Sequence, residues 1–163
     1  MVSLYESSIP VFIKNLKVLA ALLAKGSAHS GVTEKQLLES RLISDMGNLI
    51  YQIQRVSDTS KGLAVRAAKV EPVALEDKET TMEELQTRIE RTITILESVK
   101  ECNFVAEDAE VIYVAPTKEL KFTGKSYVLE FAIPNFFFHF VTAYNLLRKE
   151  GVDIGKKDYL GMS

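Results

Sequence analysis

The segment Ser126-Tyr-Val-Leu-Glu-Phe-Ala-Ile-Pro-Asn-Phe-Phe-Phe-His-Phe-Val-Thr-Ala-Tyr-Asn-Leu-Leu-Arg-Lys-Glu150 is apolar nearly all round. Phe131, Phe136, Phe137, Phe138, Phe140, Val141, Tyr144, Leu146 and Leu147 leave it no broad polar face. A helix of that composition has to be buried on several sides, so it needs other helices around it. Pro134 kinks or restarts it, and Gly151 supplies a C-cap.

Three further segments carry the helical period. In the first, from about Ser8 to about Ala28, Phe12, Leu16, Leu19 and Leu23 recur at spacings of four, three and four. The second opens at Thr33 with a Thr-x-x-Gln36 capping box, carries Leu38, Leu42, Met46, Leu49, Ile53 and Val56, and is expected to persist to about Ala68. The third opens with Thr81-x-x-Glu84 and carries Leu85, Ile89, Ile93, Leu96 and Val99; the acidic run Glu76–Glu79 before it reads as a solvated loop. Between the third and fourth segments the period falls to two. Ala109–Ala115 and Glu119–Thr123, joined by Pro116-Thr-Lys, predict a two-stranded hairpin, which needs a helix to lie on. The expected fold is all-α, an antiparallel four-helix bundle with a small β-hairpin before the last helix, forming one domain over residues 1–163.

Charge and composition exclude several classes of partner. The chain has 163 residues, a formal net charge of -2 and a single cysteine, Cys102. A protein that binds nucleic acid displaces counterions with a basic excess, and none exists here. One cysteine cannot form an intrachain disulfide, and a reducing compartment suits it. The N-terminus lacks the basic flank and apolar run of a signal peptide, and Val18–Ala24 and Phe136–Val141 are too short to span a bilayer. The expectation is a cytoplasmic protein with no membrane or nucleic-acid partner.

One face of the fourth helix differs from the rest. At about 100° per residue, Ala132, Asn135, His139, Thr142, Ala143 and Leu146 share a side, so small and polar residues surround the imidazole. On the second helix the same projection aligns Arg41, Asp45 and Gln52 along the border of the apolar seam. These residues suggest a pocket in which His139 is the acid–base candidate, Asp45 or Gln52 orients it, and Asn135, Thr142 and Arg41 help hold a ligand. The competing explanation is a core histidine whose hydrogen bond is simply satisfied. Metal ligation has weak support: His29 and His139 are the only histidines, there is no cysteine pair, and Glu-x-x-His is absent. Cys102 follows the acidic Glu101 at a helix C-terminus, so nucleophile chemistry is not expected there.

Pro134-Asn-Phe-Phe-Phe-His139-Phe-Val-Thr-Ala-Tyr144-Asn-Leu-Leu-Arg148 and Gly151-Val-Asp-Ile-Gly155-Lys-Lys-Asp-Tyr-Leu-Gly161 resemble the C-terminal signature of an uncharacterised family in the DinB/YfiT-like bundle superfamily. Arg41-Leu-Ile-Ser-Asp45-Met and Asp77-Lys-Glu-Thr-Thr-Met-Glu-Glu-Leu resemble other recurring segments of that family, so the likeness covers nearly the whole chain. The resemblance implies an up-down-down-up bundle and a homodimer. Members often carry the label "helix-turn-helix domain-containing protein", which does not match the acidic balance. Many DinB-like proteins hold a divalent metal through three histidines, and some are metal-dependent thiol transferases or hydrolases. Here His139 matches the first histidine of the fourth-helix pair, but Ala143 stands four residues later and the second helix has none.

Three functions follow in order. The first is a protein that binds a small organic molecule around His139, with acid–base chemistry and neither metal nor cofactor. The second is a non-enzymatic dimeric scaffold or interaction protein, and the third a metal-dependent DinB-like transferase. The charge balance carries a direct expectation: the protein forms no specific complex with DNA. A salt-sensitive, sequence-dependent gel shift at submicromolar protein is the result that contradicts it.

Overall fold

The structure, a computed structural model, describes residues 2–162 and is mostly helical with one small antiparallel hairpin. α1 (Ile9–Ala28) buries Phe12, Leu16, Leu19 and Leu23, the stripe read from the sequence. α2 (Glu34–Glu39) is opened by the expected capping box: Thr33 Oγ1 accepts from the Gln36 N–H at 3.3 Å, and Gln36 Oε1 accepts from the Thr33 N–H at 2.9 Å.

The second helix does not run unbroken to Ala68. It ends at Glu39 and the chain resumes helical form in α3 (Leu49–Ala68). Asn48 makes the restart, its side chain accepting from the Tyr51 N–H at 3.0 Å. Gly47 makes room for it: a Cβ there would lie 2.1 Å from the Tyr51 ring. A glycine followed by a strong N-cap outweighs apolar spacing. Leu42, expected in the buried seam, is exposed, and Met46 is only half-buried.

α4 (Met82–Glu97) also begins at its predicted capping box, Thr81 with Glu84. The hairpin pairs β1 (Glu110–Val114) with β2 (Glu119–Thr123), setting Val111 opposite Phe122 and Tyr113 opposite Leu120. It lies on a helix, as so short a ribbon must: the Tyr113 and Phe122 rings sit 4.8 and 5.3 Å from that of Phe131. The last long helix is composite. A short turn α5 (Gly124–Ser126) leads into a π-helical segment, Tyr127–Ala132, and then α6 (Ile133–Lys149). Pro134 has no N–H for the Glu130 carbonyl, and the wider π pattern accommodates this, the Ile133 N–H donating to the Val128 carbonyl. Gly151, with φ of 89°, ends α6 while the Val152 N–H closes on the Leu147 carbonyl at 3.1 Å. The chain finishes in α7 (Lys156–Tyr159), with Tyr159 stacked on Phe140 at 4.9 Å.

The four long helices contact one another in a ring, α1 on α4, α4 on α3, α3 on α6 and α6 on α1. Phe12 and Phe136 stack at its centre, ring centroids 4.0 Å apart. No helix of the described residues is long and apolar enough to cross a membrane.

One charge lies inside this frame. The Arg88 side chain on α4 is 1% exposed. Its guanidinium meets Glu79 at 2.8 Å, Asp77 at 2.9 Å and Asp58 of α3 at 3.0 Å. Part of the acidic run is therefore not solvated, because Glu79 is drawn inward as a counter-ion. Burial acts to raise the Glu79 carboxyl, but hydrogen bonds from Arg88 and Gln54 outweigh it and hold it below the usual range. Arg88→Ala strands these carboxylates, and urea unfolding at pH 7 is expected to show a loss of about 3–5 kcal/mol. A loss below about 1 kcal/mol, the value of a surface pair, is the outcome that removes Arg88 from the frame.

Candidate functional site

The break between α2 and α3 shapes the site. Residues 40–48 fold back beside the first turns of α3 and the middle of α6, leaving a cleft of about 590 Å³. Arg41, Asp45, Gln52 and His139 line it together with Tyr51 and Phe138. Four of the six residues picked from the sequence thus meet in one place, although Arg41 and Asp45 reach it from the loop and not from a helix border.

Asn135 and Thr142 do not join them. Thr142 is buried, its hydroxyl donating to the Phe138 carbonyl at 2.7 Å, and Ala143 and Leu146 beside it are in the core. Asn135 donates to Thr59 Oγ1 at 2.8 Å and lines a different cavity. The small-residue side of α6 is where neighbouring helices pack closely, so its missing volume is filled by their side chains. Phe138 instead stands 57% exposed at the cleft.

At the centre is a two-step hydrogen-bond chain. Gln52, buried on α3, donates from Nε2 to the Gly47 carbonyl at 2.8 Å. That carbonyl can only accept, so the amide oxygen is the end that faces His139, and Oε1 lies 2.7 Å from Nδ1. Nδ1 must then carry the proton. Nε2 keeps its lone pair and has no hydrogen-bond partner among the described residues. Burial, and after it the positive charge of Arg55, push the His139 pKa down to about 4, so the ring is neutral at pH 7. Tyr51 packs edge-on to the imidazole at 6.1 Å and carries the Arg55 guanidinium over its own ring at 5.1 Å. Arg41 is tied to the loop through a hydrogen bond to the Met46 carbonyl. Asp45 is exposed at the rim.

A metal of the DinB kind does not fit these residues. His139 offers one neutral nitrogen, but Ala143 has no donor and Gln52 spends both ends of its amide on Gly47 and His139. Among the described residues no three His, Cys, Asp or Glu side chains gather to hold an ion.

Tyr51 and Phe138 were not singled out from the sequence. Phe138 reads as one more core phenylalanine, and Tyr51 as a helix residue outside the seam. The one local signal was Gly47-Asn48, a turn followed by an N-cap, which places a helix start beside Tyr51.

A crystal structure of a DinB family member protein from Shewanella denitrificans is similar to this chain, with a TM-score of 0.87 and 40% identity over 97% of this chain and 92% of that one. Fold and likeness define a DinB-like helical protein. Residues 4–160 match the family described as a domain of unknown function (DUF1993), and the chain belongs to it. A comparison with curated proteins finds no match.

The histidine geometry is open to direct measurement. Nitrogen NMR is expected to show a protonated Nδ1, a bare Nε2 and a titration midpoint near 4 in place of the usual 6.5. The linkage has a fixed sign. A folded pKa below the unfolded one contributes stability that is complete above about 6.5 and is lost as pH falls toward 4. Wild type should therefore lose more melting temperature than His139→Gln between pH 7 and pH 5; parallel pH profiles for the two contradict this.

Proposed function

We propose that the protein binds a small organic molecule in the cleft beside His139. The observation that carries the reading is the Gly47–Gln52–His139 chain, which holds a neutral imidazole with its Nε2 lone pair free. A buried amide that spends both ends on fixing one tautomer is a positioning device. Nε2 accepts a hydrogen bond from a ligand N–H or O–H. Arg41 and Asp45 offer opposite charges at the rim, and Tyr51 and Phe138 give flat apolar area. A volume of about 590 Å³ is within the usual range for small-molecule sites. The low pKa makes His139 a weak base at pH 7, so we assign it first to holding the ligand and second to accepting an already acidic proton. We read the ring of long helices as one domain, an antiparallel DinB/YfiT-like bundle around this site.

A second reading is a dimeric scaffold. Phe138 and Val141, three residues apart on α6, are exposed, as are Leu42 and Ile43 in the adjoining loop. A stable dimer buries about 800 Å² on each partner, some twenty residues. Four exposed side chains fall short of that, which places the scaffold behind the ligand reading.

A screen of small polar compounds, followed by amide NMR, tests the proposal. Hits should shift Gly47, Gln52 and His139, and His139→Gln should abolish their binding while costing less than about 1 kcal/mol at pH 7. A His139→Gln variant that binds the same hits unchanged, or is destabilised by the 1–3 kcal/mol of a stranded core group, returns His139 to a purely structural role.

A further inference from the structure

A smaller and more enclosed cavity, of about 150 Å³, lies further along α3, where that helix meets the π-helical segment and β1. It shares no lining residue with the His139 cleft. π-helical turns recur at functional sites. This one brings Tyr127 and Phe131 to the same wall, their rings stacked 5.9 Å apart.

The wall groups are donors with little to receive them. Arg66 is half-buried. Its guanidinium lies 4.7 Å over the Tyr113 ring and donates to the Tyr127 hydroxyl at 3.3 Å, and it pairs with no carboxylate among the described residues. The Tyr127 oxygen accepts that bond, so its own hydrogen remains to be given away. Burial pushes the phenol pKa up against the opposing charge of Arg66, so the hydroxyl stays protonated at neutral pH. Thr59 Oγ1 likewise accepts from Asn135 at 2.8 Å and keeps its hydrogen. Asp58 is the one carboxylate on the wall, and it is already engaged by Arg55, Lys61 and Arg88. A guanidinium without a counter-ion and two free hydroxyl hydrogens around an enclosed space call for an acceptor-rich anion.

Size and charge narrow the class. At about 30 Å³ per water the cavity holds roughly five waters, far less than a drug-sized ligand needs. One unpaired guanidinium balances one negative charge. A phosphate dianion would leave a second charge uncompensated beside Asp58, and the Tyr113 and Phe131 rings offer it nothing. A short hydrocarbon chain lies well against both rings. We propose that this cavity binds a small monocarboxylate, its carboxylate on Arg66, Tyr127 and Thr59 and its short chain between Tyr113 and Phe131.

Butyrate is the probe, titrated into the full chain by NMR and calorimetry, with n-butylamine and inorganic phosphate as controls. Saturable butyrate binding that shifts Thr59, Arg66, Tyr127 and Asn135 is expected, with no response to butylamine and a weaker one to phosphate. Arg66→Gln should weaken butyrate about tenfold or more, the value of a charge-assisted hydrogen bond. Tyr127→Phe, which keeps the ring and removes only the hydroxyl, should weaken it severalfold. His139→Gln should leave butyrate affinity unchanged, which separates this site from the cleft. Absence of saturable binding, phosphate binding as tight as butyrate, or unchanged affinity in a folded Arg66→Gln overturns the proposal. Should Arg66→Gln fail to fold, Tyr127→Phe decides, and unchanged affinity there overturns it.

Discussion

The frame depends on one guanidinium that has to be neutralised where water cannot do it. Arg88 reaches from α4 toward α3, and the connection between them, residues 69–81, folds inward so that Asp77 and Glu79 can meet it. An isolated buried charge is far too costly to keep, so this irregular segment is held by electrostatics and not by a secondary-structure ladder. Glu79 also accepts from Gln54 at 2.9 Å, and Gln54 lines the His139 cleft. Arg55, clasped by Asp58 and Asp77, lies over Tyr51, which packs on His139. The charge network thereby supports the floor of the cleft from behind.

Two helix interruptions shape the two cavities. The first, at Gly47-Asn48, turns what would be a continuous helix into a loop that carries Arg41 and Asp45 to the cleft and offers the Gly47 carbonyl to Gln52. The second is the π-helical segment imposed before Pro134, which sets Tyr127 and Phe131 against the donors of α3. Regular helices would pack both regions shut. Breaks in local regularity and polar cavities coincide here because a broken helix cannot fill the groove it faces.

The long helices α1 and α4, the start of α2, the end of α6 and the hairpin were legible in the sequence because each rests on contacts within a few residues. Thr33 with Gln36, Thr81 with Glu84 and Gly151 at a helix end are local hydrogen-bond patterns, and the apolar stripes of α1 and α4 follow from a fixed rotation per residue. The pairing of Gln52 with His139 was legible only as one option, since Asp45 shared the same projected border. The helix expected through residues 40–48 failed because apolar spacing alone cannot show that Tyr51 will take the space a glycine leaves at position 47 and that Asn48 will cap.

What the sequence by itself determined is the place of the long helical segments outside residues 40–48, the presence of the hairpin, and the inventory of polar groups on α3 and α6. Tertiary structure alone decided which of those groups share a cavity. Asn135 and His139 stand four apart on α6 and project to one side, yet neighbouring elements enclose them in separate spaces, one beside Thr59 and the other beside Gln52. Thr142, next along the same side, is sealed in the core. Period and spacing describe where a side chain leaves its own helix; what it meets is set by the helices packed against it.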